Sequence, residues 1–144
     1  MKASDLFVKC LEKEGVTHIF GIPGEENADV MISLMDSKIK FVLCRHEQAA
    51  AFMADANMDR APLICLIGQA DTERLHKESH QNMDSISMFK PITKWAQSVH
   101  HPDNIPEIIR KGFKVAETEK PGAVLIELPE DLAAAQTRIK PIKP

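Results

Sequence analysis

Apolar positions along this chain follow two alternating rhythms: short uninterrupted runs, and stretches spaced for one face of a helix. Leu6, Phe7, Cys10 and Leu11 have helical spacing, with Ser4 placed to cap and Gly15 to stop, which predicts a helix over Asp5 to Glu14. The run Thr17 to Phe20 predicts a strand, and Gly21-Ile22-Pro23-Gly24 a tight turn. Ala28, Met31, Leu34 and Met35 mark the inward side of a helix over Asn27 to Asp36. Ile39 to Cys44 reads as a strand apolar enough to be covered on both faces. A helix without Pro or Gly over His46 to Asp59 and a nearly all-apolar strand over Leu63 to Ile67 follow.

Asp71 to Met83 is polar, and too long for a simple turn. Beyond it the pattern predicts a helical turn over Ser85 to Phe89 and an outer strand over Thr93 to Val99. A helix over Pro106 to Glu117 comes next, capped by Asn104, with Ile108, Ile109, Phe113 and Ala116 inward. Lys120-Pro121-Gly122 turns the chain into a last buried strand, Ala123 to Leu128, and a short helix over Pro129 to Ala135. Thr137 to Pro144 has the lysine and proline content of a linker, which sets the domain at 1–135 and the tail at 136–144.

Apolar strands alternating with amphipathic helices imply an α/β fold of three layers, α/β/α, with a mainly parallel sheet. Sites in such sheets collect outside the carboxyl ends of the strands. Here those ends are Gly21 to Glu25, Arg45 to Glu47, Gly68 to Asp71, His100 to Asp103 and Pro129 to Asp131.

Composition narrows the function classes. The chain has 144 residues, enough for one domain that buries roughly two-thirds of its unfolded surface. A net charge of -3 without basic runs argues against nucleic acid and anionic membranes as partners. No apolar run reaches membrane-spanning length and the start lacks a signal-peptide pattern, so the cytoplasm is the expected compartment. Cys10, Cys44 and Cys65 are widely spaced in apolar stretches, as reduced core thiols are, and no CxxC or HxxxH spacing proposes a metal site.

Two constellations carry candidate chemistry. The turn Ile22, Pro23, Gly24 is either structural or a place where a flat organic ring meets the backbone closely. Its spacing fits neither GxGxxG nor a Walker A loop, and Glu25 and Glu26 would repel phosphate. Glu47 is either a first-turn acid favoured by the helix dipole or a partly buried carboxylate that bonds a ligand ring nitrogen and moves a proton. Gln69 ends a strand or presents its amide to a ligand. His76, His80, His100 and His101 fall in loops; His80-Gln81 is the pair of interest because it sits in the long polar segment.

The ordered set FGIPGEEN, FVLCRHEQAAAFMA, ANMDRAPLICLIGQ, HQNMD, FKPITKW and KPGAVLIELPEDLA resembles the N-terminal pyrimidine-binding domain of thiamine-diphosphate-dependent enzymes, most closely the acetolactate synthase group, over about Ser4 to Ala134. The resemblance implies that Glu47 bonds the aminopyrimidine ring and promotes the reactive ylide, with the chemistry supplied by the cofactor. It also implies that Ile22, Pro23 and Gly24 approach that ring and that Gln69, His80 and Gln81 line the site near a subunit boundary. The parent reaction is decarboxylation of a 2-keto acid such as pyruvate, followed by carboligation.

The chain departs from the family pattern twice. After Asp55 a strand and two half-helices are missing, about 30 residues or one βα unit, so Ala54-Asp55 runs straight into Ala56. The expected result is a shortened domain with a five-stranded sheet, approaching flavodoxin-like size. The family also needs a second domain with a GDG motif to hold the diphosphate through Mg²⁺, and no GDG occurs here. The expectation is therefore an excised, shortened pyrimidine domain that binds no cofactor by itself, is inactive alone, requires a diphosphate-binding domain, and can form a homodimer. The alternatives are one subunit of a two-chain thiamine-diphosphate enzyme, and a flavodoxin-like module for small ligands or self-association.

Overall fold

A computed structural model describes residues 1–45, 62–75, 77 and 82–143. The expected helix over His46 to Asp59 and the join at Asp55 lie outside the described residues. Among the described residues there are five strands: β1 (His18–Gly21), β2 (Lys40–Leu43), β3 (Leu63–Gln69), β4 (Trp95–Ser98) and β5 (Ala123–Pro129). Five α-helices are described with them: α1 (Ala3–Lys13), α2 (Ala28–Met35), α3 (Ser85–Phe89), α4 (Ile105–Glu117) and α5 (Glu130–Ala134).

Every strand pairing is parallel, as the apolar runs predict. The five strands, however, are hydrogen-bonded as two sheets, β1-β2 and β3-β5-β4. β5 is central, and all seven of its residues are buried. β4 is an outer strand, as its weaker alternation predicts.

Strand alternation sorts the layers. Val124, Ile126 and Leu128 face one way and join Leu6, Phe7, Leu11, Ile105 and Ile109 in the main core. α4 comes close enough there that a Cβ on Gly112 would stand 3.0 Å from Ile126 Cδ1. Glu127 faces the other way, together with Gln69, whose amide donates to Met83 O just before α3. The three-layer α/β/α arrangement follows.

Several local expectations are corrected by tertiary contacts. Ser4 does not cap α1; it is fully buried, and Lys2 holds the cap position. The helix begins there because Lys2 bridges Gln136, Ala3 N donates to Ala135 O, and Lys2 N donates to Asp5 Oδ2. Asn104 occupies the position before α4 without a side-chain cap bond, and the preceding turn is organised by His101 Nδ1 accepting from Asp103 N. At the far end of α4, Lys94 Nζ donates to the Val115 and Thr118 carbonyls, which places a cation where the helix dipole favours one.

α2 faces differently from its pattern. Leu34 is buried and Met31 partly so, but Ala28 is exposed and Met35 is 84% exposed. Its buried polar position is Ser33, whose Oγ donates to Asp5 Oδ1 (2.7 Å) and is bonded to Ser4 Oγ (2.9 Å). β2 is not covered on both faces either; Val42 and Leu43 are exposed. Of the three cysteines, only Cys10 is buried, and Cys44 and Cys65 are half-buried. The segment read as a linker is partly integrated: Thr137 is buried and donates to Asp103 Oδ1 (2.6 Å). No described helix is long and apolar enough to cross a membrane.

Candidate functional site

The loop after β1 is held by one side chain. Asn27 Oδ1 accepts from Gly24 N (2.9 Å), and Asn27 Nδ2 donates to Ile22 O (3.2 Å), so both ends of Ile22-Pro23-Gly24 are pinned. Among the described residues, a Cβ built on Gly24 would find within 4 Å only Asn27 Nδ2, at 3.8 Å. Packing against the described residues therefore does not require glycine there, and leaves the space above the backbone open to a flat group.

Gly68 is the opposite case. A Cβ on it would stand 2.7 Å from Glu26 Cβ and 2.9 Å from the Glu26 carbonyl carbon. Only glycine lets the end of β3 approach the loop after β1 this closely. The contact brings two of the expected carboxyl-end segments together.

Between these elements lies an open groove of about 750 Å³. Its walls are Ile22, Pro23 and Gly24 at the rim, with the length of β1 on one side and of β3 on the other. Phe41, Phe113 and Leu128 contribute further apolar surface. Glu26 and Glu117 are the acids among the described lining residues, and these include no Lys or Arg.

Gln69 does not belong to this groove. It is 4% exposed, and strand alternation turns it to the face opposite Gly68. Its Nε2 donates to Met83 O (2.7 Å) and Glu127 Oε2 (3.2 Å), and its Oε1 accepts from Ala70 N (2.9 Å). The amide is thus occupied in tying β3 to β5 and to the start of α3. Glu47, His80 and Gln81 lie outside the described residues. The structure thus joins Ile22, Pro23 and Gly24 and separates Gln69 from them.

Glu127 escaped the sequence reading. It is 5% exposed, on the central strand, with Gln69 as its described donor. Its signal was present: one acid inside the otherwise apolar run AVLIELP. Cys10 and Cys65 offer no activated nucleophile. Burial, with the Glu14 charge second, pushes the Cys10 thiol up to about 12, and burial also raises Cys65. Among the described residues no group of His, Cys, Asp and Glu is arranged to hold a metal ion.

Residues 1–60 match the family described as thiamine pyrophosphate enzyme, N-terminal TPP binding domain. The chain is 34% identical over 169 residues to the probable acetolactate synthase large subunit of Methanocaldococcus jannaschii, covering 97% of this chain and 29% of that protein. It is 30% identical over 171 residues to the acetolactate synthase of Bacillus subtilis, covering 99% of this chain and 30% of that one. The glyoxylate carboligase of Escherichia coli O157:H7 is 30% identical over 172 residues, with 98% and 29% covered. The chain thus spans somewhat less than a third of the length of these curated relatives.

Proposed function

Because this chain belongs to the family of thiamine pyrophosphate enzyme N-terminal TPP-binding domains, we propose that it is such a domain shortened internally after Asp55, with the ring-approach loop retained and no catalysis of its own. The observation that carries the shortening is length. The alignment to the Methanocaldococcus jannaschii protein runs over 169 positions against a chain of 144 residues, so at least 25 positions of it fall opposite no residue here. That is room for a strand and much of its connection.

The described groove suits half of thiamine diphosphate. The open backbone at Gly24, at the rim of the groove, accommodates a neutral ring. The diphosphate does not fit, because no Lys or Arg is among the described lining residues and Glu26 and Glu117 add negative charge. In this reading Glu47 is the carboxylate that bonds the pyrimidine ring, His80 and Gln81 belong to the same site, and the diphosphate and Mg²⁺ are held by a separate domain. The acetolactate chemistry of the named relatives belongs to such a completed enzyme.

Calorimetric titration with thiamine and with thiamine diphosphate plus Mg²⁺ tests this reading. The expected result is weak binding of similar strength for both, and no CO₂ or acetolactate from pyruvate. Diphosphate binding more than about tenfold tighter would mean that this chain supplies a charge-assisted contact of its own. That result, or turnover of pyruvate, would overturn the proposal.

A further inference from the structure

We propose that the groove between β1 and β3 is a berth for one extended apolar strand supplied by another polypeptide, which would join the two sheets into one. The backbone edges of the two strands define this berth whether or not a cofactor binds at the rim.

The hydrogen bonds already made show which amides remain available. Lys40 N donates to Thr17 O and Cys44 N to Gly21 O. In a parallel ladder alternate residues turn their backbone groups to the same side. Thr17, Ile19 and Gly21 therefore serve β2, while His18 and Phe20 turn theirs away from it. On β3, Leu63 N donates to Gly122 O, so Leu63, Cys65 and Ile67 serve β5, while Ile64 and Leu66 turn away from it. Both outward edges line the same groove.

Among the described residues no strand occupies that space. The Gly68–Glu26 contact places the carboxyl ends of β1 and β3 on one side, so the two edges run in the same direction. They offer ladder partners to one strand parallel to both.

The walls define the occupant. They are apolar above and below the plane of the strands, through Leu66, Phe113 and Ala116 on one face and Cys65 and Ile67 on the other. A strand buried on both faces is a continuous apolar run, not an alternating one. β1 has four residues, which sets a berth about five residues long. The positions that relatives carry and this chain lacks are enough to supply such a strand. Recognition would come from main-chain hydrogen bonds, with the side chains filling the groove.

The test is amide hydrogen exchange on the full chain with a synthetic peptide carrying an uninterrupted Val/Ile run about five residues long, flanked by lysines. A second peptide of the same composition with proline at the centre of the run is the control, since it cannot complete the ladder. At about ten times its dissociation constant, the first peptide is expected to slow exchange about tenfold at His18, Phe20, Ile64 and Leu66. Exchange at Ile19 and Cys65, already bonded within their sheets, should change little. Equal protection by both peptides, or none by the first, overturns the proposal. So does protection of Phe20 and Leu66 without peptide, whether steady or growing with protein concentration, since the berth would then be filled by this chain or by a second copy.

Discussion

Gly68 and Glu26 meet at the carboxyl ends of β3 and β1 with no room for a side chain between them, a Cβ on Gly68 falling 2.7 Å from Glu26 Cβ. The obstructing atoms include backbone, so the strain cannot be relieved by a rotamer change. Gly68→Ala is expected to cost about 1–3 kcal/mol in urea unfolding, with an unchanged m-value. A cost below the error of the measurement would mean that the two sheets can separate freely at this end.

The Gln69–Glu127 pair gives a coupled prediction. Gln69→Leu leaves a buried carboxylate without its described donor and should destabilise the chain by about 1–3 kcal/mol. Replacing both residues by Leu removes the orphaned acceptor together with its donor. The double variant should therefore lose less than the sum of the two single changes, and additivity in a double-mutant cycle would refute the coupling.

Acid stability has an identifiable contributor at the α1–α2 contact. The Ser37 hydroxyl and the Lys38 N–H hold the Glu12 carboxyl below its ordinary value, both bonding Oε1. A depressed folded value stabilises the protein above the unfolded carboxylate value of about 4.3, and the effect is lost as pH falls through the folded value. Wild type should exceed Glu12→Gln in thermal stability at pH 7 and converge with it below about pH 4. A gap that persists at pH 3 would rule out this linkage.

Thiol labelling separates the three cysteines. At pH 8 iodoacetamide should modify the half-buried Cys44 first, leaving Cys10 for the unfolded chain. Cys10 is raised in the folded state to about 12, so its contribution to stability is complete below its unfolded value of about 9 and is lost as pH rises from there. Peptide mapping showing Cys10 modified as fast as Cys44 in the native protein would contradict its burial.

Much of the site remained hidden from the sequence for a physical reason visible at Gln69. Its position at a strand end was legible, but not which face its amide would take or what would meet it there. Gly68 was legible as the end of a strand, but not as a point of close approach. The partner, Glu26, is 42 positions earlier in the chain and could not be named.

The sequence by itself determined the order and type of the described elements, the parallel α/β architecture, the stop at Gly15 and the outer place of β4. These depend on the local period of apolar residues and on glycine's access to positive φ, here +82° at Gly15. Tertiary structure decided the rest: the start of α1 beside Gln136, the exposure of Met35, the turning of Ser33 inward, and the pairing of five strands as two and three. A strand's pattern specifies that it will pair and which faces it buries, but its neighbour comes from a distant part of the chain. Where the groove separates β1 from β3, both edges retain the backbone groups for a ladder, and pairing among the described strands leaves them unused.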